Sequence, residues 1–284
     1  MFKRYVLILS LSLLFLSACS YKFFYSQLDT IVPFYINNMV ELEHLDERVD
    51  QETIALLIWH QQKQLPLYID WLTAAKKLLI SNHQQPVTKG QVLGQIQKLS
   101  DIWQLFRRKL YIDLARLLPL LNTEQVDELF ASLETNNQEY IQQQVSLADN
   151  ERQQLYQQRL TDQFENWLGY VTDKQLELML QASADFESLS VLRLKARLEW
   201  QRETRQILIA EEVDHPSELL VLFKGLSLKH DQIYQSISQR NREKLSLLIA
   251  QILTTLEAKQ EKHISDKIDH YIAMMADFRK HQWK

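Results

Sequence analysis

EKLSLLIAQILTTLEAKQEKHISDKIDHYIAMMADFRK, residues 243–280, carries apolar side chains at Leu245, Leu248, Ile249, Ile252, Leu253 and Leu256, then at Ile264, Ile268, Tyr271, Met275 and Phe278. Steps of three and four residues put these side chains on one helical face. The stretch is therefore predicted to be a single helix whose apolar stripe packs into a bundle core. A binding groove and a coiled-coil seam between chains are the alternatives. The rest of the chain reads the same way. Only 4 Gly and 5 Pro interrupt 284 residues, and no segment alternates apolar and polar residues between turn signals as a half-buried strand would.

Helix starts can be placed from their capping residues. Asp50 before Gln51-Glu52, Thr88 with Gln91, Asn122 with Gln125, and Thr172 with Gln175 each offer a side-chain acceptor to free backbone N–H groups. They predict helices at about 31–44, 51–80, 89–119, 123–145, 150–168, 173–211, 216–240 and 243–280. Pro66 is expected to kink the second and Pro119 to end the third. The fold class is all-α, an elongated multi-helix bundle. It is either continuous or divided into two helical subdomains where Val213-Asp214-His215-Pro216 breaks the pattern.

The amino terminus carries a different signal. Lys3 and Arg4 precede an apolar run from Tyr5 to Leu16, and Leu16-Ser17-Ala18-Cys19 closes it with small residues before the only cysteine. A charged start, a short apolar stretch and a small-residue cut site form a signal peptide, and the run is too short to span a bilayer. Cleavage before Cys19, with lipid on its thiol and amine, is the lipoprotein pattern. Two or three acyl chains anchor stably, since each buried methylene contributes about 0.8 kcal/mol. Ser20 in place of Asp after the cysteine directs a Gram-negative lipoprotein to the outer membrane. The expected location is thus the inner leaflet of the outer membrane, facing the periplasm. Residues 20–29, Ser-Tyr-Lys-Phe-Phe-Tyr-Ser-Gln-Leu-Asp, follow the lipid directly. Their aromatic rings fit either the bilayer interface or the surface of the bundle.

Without Lys3 and Arg4, 30 basic residues face 36 acidic ones, a formal charge of −6. Nothing in that balance suggests nucleic acid as a partner. With Cys19 lipidated no thiol remains, which removes disulfides, thiolate metal sites and a cysteine nucleophile.

Tyr25-x-x-Leu28-Asp29, Trp59-His60 followed by Leu65-Pro66-x-Tyr68, Asn122-Thr123-Glu124-Gln125, Asn136-Asn137, and Glu165-x-x-x-Gly169-x-Val171-Thr172-x-x-Gln175 occur in this order. Together they resemble the DUF6279 family of bacterial lipoproteins, over about residues 19–210. Thr30 and Gln61-Gln62 depart from the family's aromatic and basic preferences. The resemblance implies a lipoprotein with a helical fold and transfers no activity. The chain then divides into a signal peptide at 1–18, a lipidated tether at 19–30, a helical family domain at 31–211 and a C-terminal helical extension at 212–284.

Candidate chemistry is sparse. Glu41 and His44 share a helix face, but a carboxylate-bridged metal pair needs a second such motif and two more carboxylates. Asp266, Asp269 and His270 are the nearest substitutes in the sequence. His60 and Asp70 are ten residues apart, about 15 Å along a helix, too far to act as an acid–base pair. Nucleophile elbows, phosphate-cradling glycine loops and His-Glu-x-x-His are absent from the sequence. Arg107-Arg108-Lys109 and the set Arg193, Lys195, Arg197, Arg202 and Arg205 read as solvated faces paired with nearby acids. Trp103, Trp167 and Trp200 read as core residues. Trp59, His60, Tyr68, Glu165 and Trp200 are the residues that would line a ligand cavity if one exists. The functional expectation is a non-catalytic scaffold or accessory lipoprotein. It would be held to the membrane through its lipid and act through an envelope protein partner, with no cofactor beyond the lipid on Cys19. A helical module for lipid or another apolar ligand is the alternative, and an unrecognised envelope enzyme ranks third.

Overall fold

The computed structural model describes residues 19–211, 213–225 and 232–283. The signal peptide expected at 1–18 lies outside the described residues. Among those described, every regular element is helical: α1 (Cys19–Ser26), α2 (Leu28–Asn37), α3 (Asp46–Trp59), α4 (Leu65–Ser81), α5 (Lys89–Leu117), α6 (Thr123–Tyr140), α7 (Asp149–Leu168), α8 (Asp173–Asp185), α9 (Ser190–Leu208), α10 (His215–Gly225), α11 (Gln232–Leu253) and α12 (Ala258–Phe278). The 29-residue α5, about 43 Å long at 1.5 Å per residue, is the spine. Against it lie α3, α4, α10 and α11, while α12 packs on α4 and α7, and α9 packs on α6 and α10.

The interior is a series of small cores. Val40, Leu42, Leu45 and Val49 meet Leu121 and Leu129 where α2, α3 and α6 converge. Leu168 at the end of α7 and Met179 of α8 pack with Leu248 and Ile252 of α11. Val87 and Val92 take Ala250, and Ala115 of α5 meets Leu219 and Phe223 of α10. Residues 212–284 thus supply side chains to the same cores as the rest of the chain.

Three of the four sequence caps stand as read. Thr88, Asn122 and Thr172 each accept from the N–H three residues on, and the side-chain oxygens of Gln91, Gln125 and Gln175 accept in return. A related arrangement opens α12, where Gln260 accepts from the Glu257 N–H at 3.0 Å. Three of these glutamines are buried, and each uses its amide nitrogen on a distant turn. Gln125 donates to Glu41 O at 2.7 Å, Gln175 to Thr255 O at 3.2 Å and Gln260 to Tyr170 O at 2.9 Å. Gln175 and Gln260 also exchange hydrogen bonds with each other, at 3.0 and 2.9 Å. Each oxygen of the pair accepts twice and each nitrogen donates at least twice, so both fully buried amides are satisfied.

Several boundaries differ from the sequence reading. Asp50 lies inside α3, whose first residue is Asp46. The predicted helix at 31–44 stops at Asn37, because the Asn37 side chain accepts from the Leu42 N–H at 3.0 Å and turns Val40 and Leu42 inward. The stretch 173–211 is broken at 186–189. There Asn241 of α11 receives the Glu187 N–H at 3.0 Å and donates to the Glu187 carbonyl at 2.8 Å. Arg240 grips the Glu187 carboxylate through two nitrogens at 2.7 and 2.6 Å. The Arg240 hydrogen bond, with Lys244 beside it, holds the Glu187 pKa down at about 2. The helix predicted over 243–280 is two helices, separated at Thr254–Glu257. Thr254 and Thr255 turn their hydroxyls back onto Gln251 O and Ile252 O, and Gln260 starts α12. Pro66 is expected to kink its helix, and an irregular turn stands just before it: His60–Gln64 is π-helical, with the Leu65 N–H reaching back to His60 O.

Turn chemistry fixes the α7–α8 junction too. Gly169 ends α7 at φ 82°, a left-handed cap, and a Cβ there would lie 3.2 Å from the His263 ring of α12.

The amide pair yields a test. Gln175→Glu places a carboxylate oxygen against acceptors on Gln260 and Thr255 and should lower unfolding free energy by about 3 kcal/mol. Gln91→Glu, at an exposed box that glutamate also completes, should change it by under about 0.5 kcal/mol. Urea midpoints of the two variants measure the contrast; equal shifts would mean the buried pair contributes nothing specific.

Candidate functional site

The π-helical turn rotates Gln61 and Gln64 inward, where both are buried. Gln64 donates to Ile102 O at 2.8 Å and to the Tyr68 hydroxyl at 3.2 Å. Gln61 holds the chain's carboxyl-terminal end, donating to Phe278 O at 2.6 Å and His281 O at 2.7 Å. The Trp283 indole donates to the Gln61 oxygen at 3.2 Å. Gln61 thus performs a structural task for which a basic side chain, lacking an acceptor, is unsuited.

Around this turn the aromatic side chains converge. Tyr25 of α1 stacks on Phe278 with ring centroids 4.0 Å apart and planes 4° from parallel. Trp283 lies 5.1 Å from Tyr25 and His60 lies 6.3 Å from it. His60 is also 6.4 Å from Tyr68 and 6.1 Å from Phe106, and Phe106 in turn meets Trp59 at 6.5 Å. Burial pushes the Tyr25 hydroxyl up to about 12 and lowers the His60 pKa.

Three of the five proposed lining residues, Trp59, His60 and Tyr68, therefore share one cluster. The other two are elsewhere. Glu165 is exposed on α7, and Trp200 packs against Phe223 at 6.1 Å in the α5–α9–α10 core. Trp103, read as core, is 52 % exposed at the edge of Phe106. No group of three or more metal-capable side chains occurs among the described residues, and no described helix is long and apolar enough to cross a membrane.

Two surface depressions lie away from this cluster. A groove of about 690 Å³ runs between α6 and α9, with Phe130, Ala131, Leu198 and Ile209 among its lining. Asp127, Glu134, Arg202 and Arg205 rim it. Arg205 bonds Asp127 at 2.5 Å and lies 5.8 Å over the Phe130 ring. At its base Gln201 and the buried Asn137 pair through their amides at 2.7 Å. A second depression of about 410 Å³, between α9 and α10, shares Gln206 with the first and includes Val213, Val221 and Leu222. The sequence reading missed this surface. Its signal was Leu198 and Ile209 standing among the charges of α9, a pattern that single exposed apolar residues also produce. Two further basic residues of α9 have partners nearby: Arg197 lies 4.6 Å over the Tyr140 ring, and Arg202 is 3.6 Å from Glu203.

Residues 37–225, well over half the chain, match DUF6279, a family of unknown function, and the chain belongs to that family. The match includes α10, which the sequence reading had left to the C-terminal extension, and begins after α1. No curated protein and no solved structure matches the chain.

His60 makes the cluster pH-sensitive in a defined direction. Its folded-state pKa lies below the ordinary value of 6.5, so the unfolded chain takes up the proton first as pH falls. Its contribution to stability is complete above pH 6.5 and declines below it, until the folded imidazole also titrates. Urea unfolding at about pH 7.5 and about pH 5.5 should show a loss in the native chain that is smaller in His60→Leu. Equal losses would assign the pH dependence to other groups.

Proposed function

We propose that this member of the DUF6279 family is a lipid-anchored scaffold of the cell envelope, fixed to the outer membrane through Cys19 and binding a protein partner along α9. The observation that carries the reading is the path from Cys19 into the body. Cys19 is the first residue of α1, and six residues on Tyr25 is clamped between Phe278 and Trp283. A lipid there would mount the whole bundle rigidly rather than on a loose leash, which suits a protein that presents a surface at fixed height above a membrane.

The groove beside α9 supports the second half of the proposal. Its apolar side chains offer anchor positions, and charges of both signs stand among them. That combination favours a polypeptide, which brings its own charged groups, over a bare acyl chain. The reactive-looking polar groups have structural partners: Arg205 is engaged by Asp127 and Gln201 by Asn137. These pairings support a role in interaction over one in catalysis.

Two measurements test the proposal. Growth with an alkyne-tagged fatty acid should label the native chain and leave Cys19→Ser unlabelled. A photoreactive amino acid at Leu198 or Ile209 should capture one and the same partner in intact envelopes, while the same probe at Leu247, an exposed leucine on α11, captures none. Introducing Leu198→Asp beside the Ile209 probe should reduce capture at least about tenfold. Adducts of lipid mass would favour the apolar-ligand reading, and no adduct from either groove position would defeat the scaffold.

A further inference from the structure

α1 and α2 are joined by the single residue Gln27, across which hydrogen bonding continues: Gln27 N–H to Phe24 O at 3.2 Å and Ile31 N–H to Gln27 O at 2.8 Å. One side of this pair faces inward. Tyr25 and Leu28 pack with Leu65 and Phe278, and Ile36 packs with the Val40–Val49 core. The other side presents large aromatic rings to solvent, Phe23 at 69 %, Phe24 at 56 %, Phe34 at 67 % and Tyr35 at 67 % exposure. Their spacing is regular. Phe23 and Phe34, and likewise Phe24 and Tyr35, stand 11 residues apart, the first of each pair on α1 and the second on α2. Cys19 lies four residues before Phe23, about one helical turn along α1.

We propose that Phe23, Phe24, Phe34 and Tyr35 form a membrane seat, a row of aromatic side chains laid into the lipid interface beside the acylated Cys19. The proposal rests on the lipid-anchor reading of that cysteine. An acyl chain leaving residue 19 brings the bilayer surface to within one helical turn of Phe23, and aromatic rings partition to the headgroup level of a bilayer. Lipid is the occupant that the anchor places there. The seat works with the Tyr25 clamp, since the inward half of α1–α2 fixes the helices to the body and the outward half fixes them to the lipid. Together they set which face of the bundle is turned to the membrane.

The test uses the full chain, purified in its acylated form and reconstituted into vesicles of phosphatidylethanolamine and phosphatidylglycerol. A phospholipid in these vesicles carries a diazirine close to the glycerol. After irradiation, cross-links should map to Phe23, Phe24, Phe34 and Tyr35 and leave Leu247 unlabelled. Replacing the four aromatics by serine should reduce labelling of residues 20–37 at least about tenfold, with the acyl mass on Cys19 and the far-ultraviolet circular dichroism unchanged. An acylated Cys19 without labels at the four positions would overturn the seat and leave the anchor standing. A Cys19 that carries no acyl group would remove both. Protein–protein cross-links at the four positions would overturn the seat by identifying a second chain as what covers them.

Discussion

Two buried amides have to satisfy each other. Gln175 and Gln260 lie 85 residues apart in sequence, each starts a helix, and neither has water to fall back on. Their reciprocal bonds press the turn at 169–172 against the turn at 254–257, and the Leu168–Met179–Leu248–Ile252 core forms beside that junction. With these turns joined, α12 is directed along α4 and α7, and its end arrives at the π-helical turn where Gln61 receives it. The same device recurs where Gln125 ties the start of α6 to Glu41 and Leu42. A chain without disulfides thus uses helix-capping glutamines as cross-braces. Each amide has an oxygen for its own helix and a nitrogen for a neighbour, a division of labour that glutamate cannot perform.

How much of this could be read in advance follows from where each signal resides. Thr88-Gln91, Asn122-Gln125 and Thr172-Gln175 were legible because a capping box is local, contained within four residues. The Glu257–Gln260 start was missed because glutamate is a poor cap and the apolar stripe of 243–280 runs across it without a Gly or Pro. The break at 186–189 was illegible for a stronger reason, since Arg240 and Asn241, more than fifty residues away, hold Glu187 out of the helix. Helical content is written in periodicity, but interruptions imposed by another element are not.

The candidate site shows the same division. Trp59, His60 and Tyr68 lie within ten residues on two successive helices, so local sequence brings them together. Glu165, which belongs to the family motif, and Trp200 lie far from these in sequence, and the fold assigns one to the surface and the other to a different core. The groove along α9 depends on how α6 sits beside it, which no local pattern encodes. The aromatic stretch at 20–29 had two readings open, interface or bundle, and the structure divides them by residue: Tyr25 enters the bundle while Phe23 and Phe24 do not.

The stacking of Tyr25 on Phe278 joins positions more than 250 residues apart, nearly the length of the chain. Contacts of such separation close late, because everything between must first be compact. Until residues 278–283 arrive, Tyr25 lacks the platform against which it packs, and a chain halted short of its end would possess most of its cores without a defined posture for α1. The posture of α1 is thus set by residues far along the sequence, so a change at Phe278 would be felt at Tyr25 as a loosened first helix.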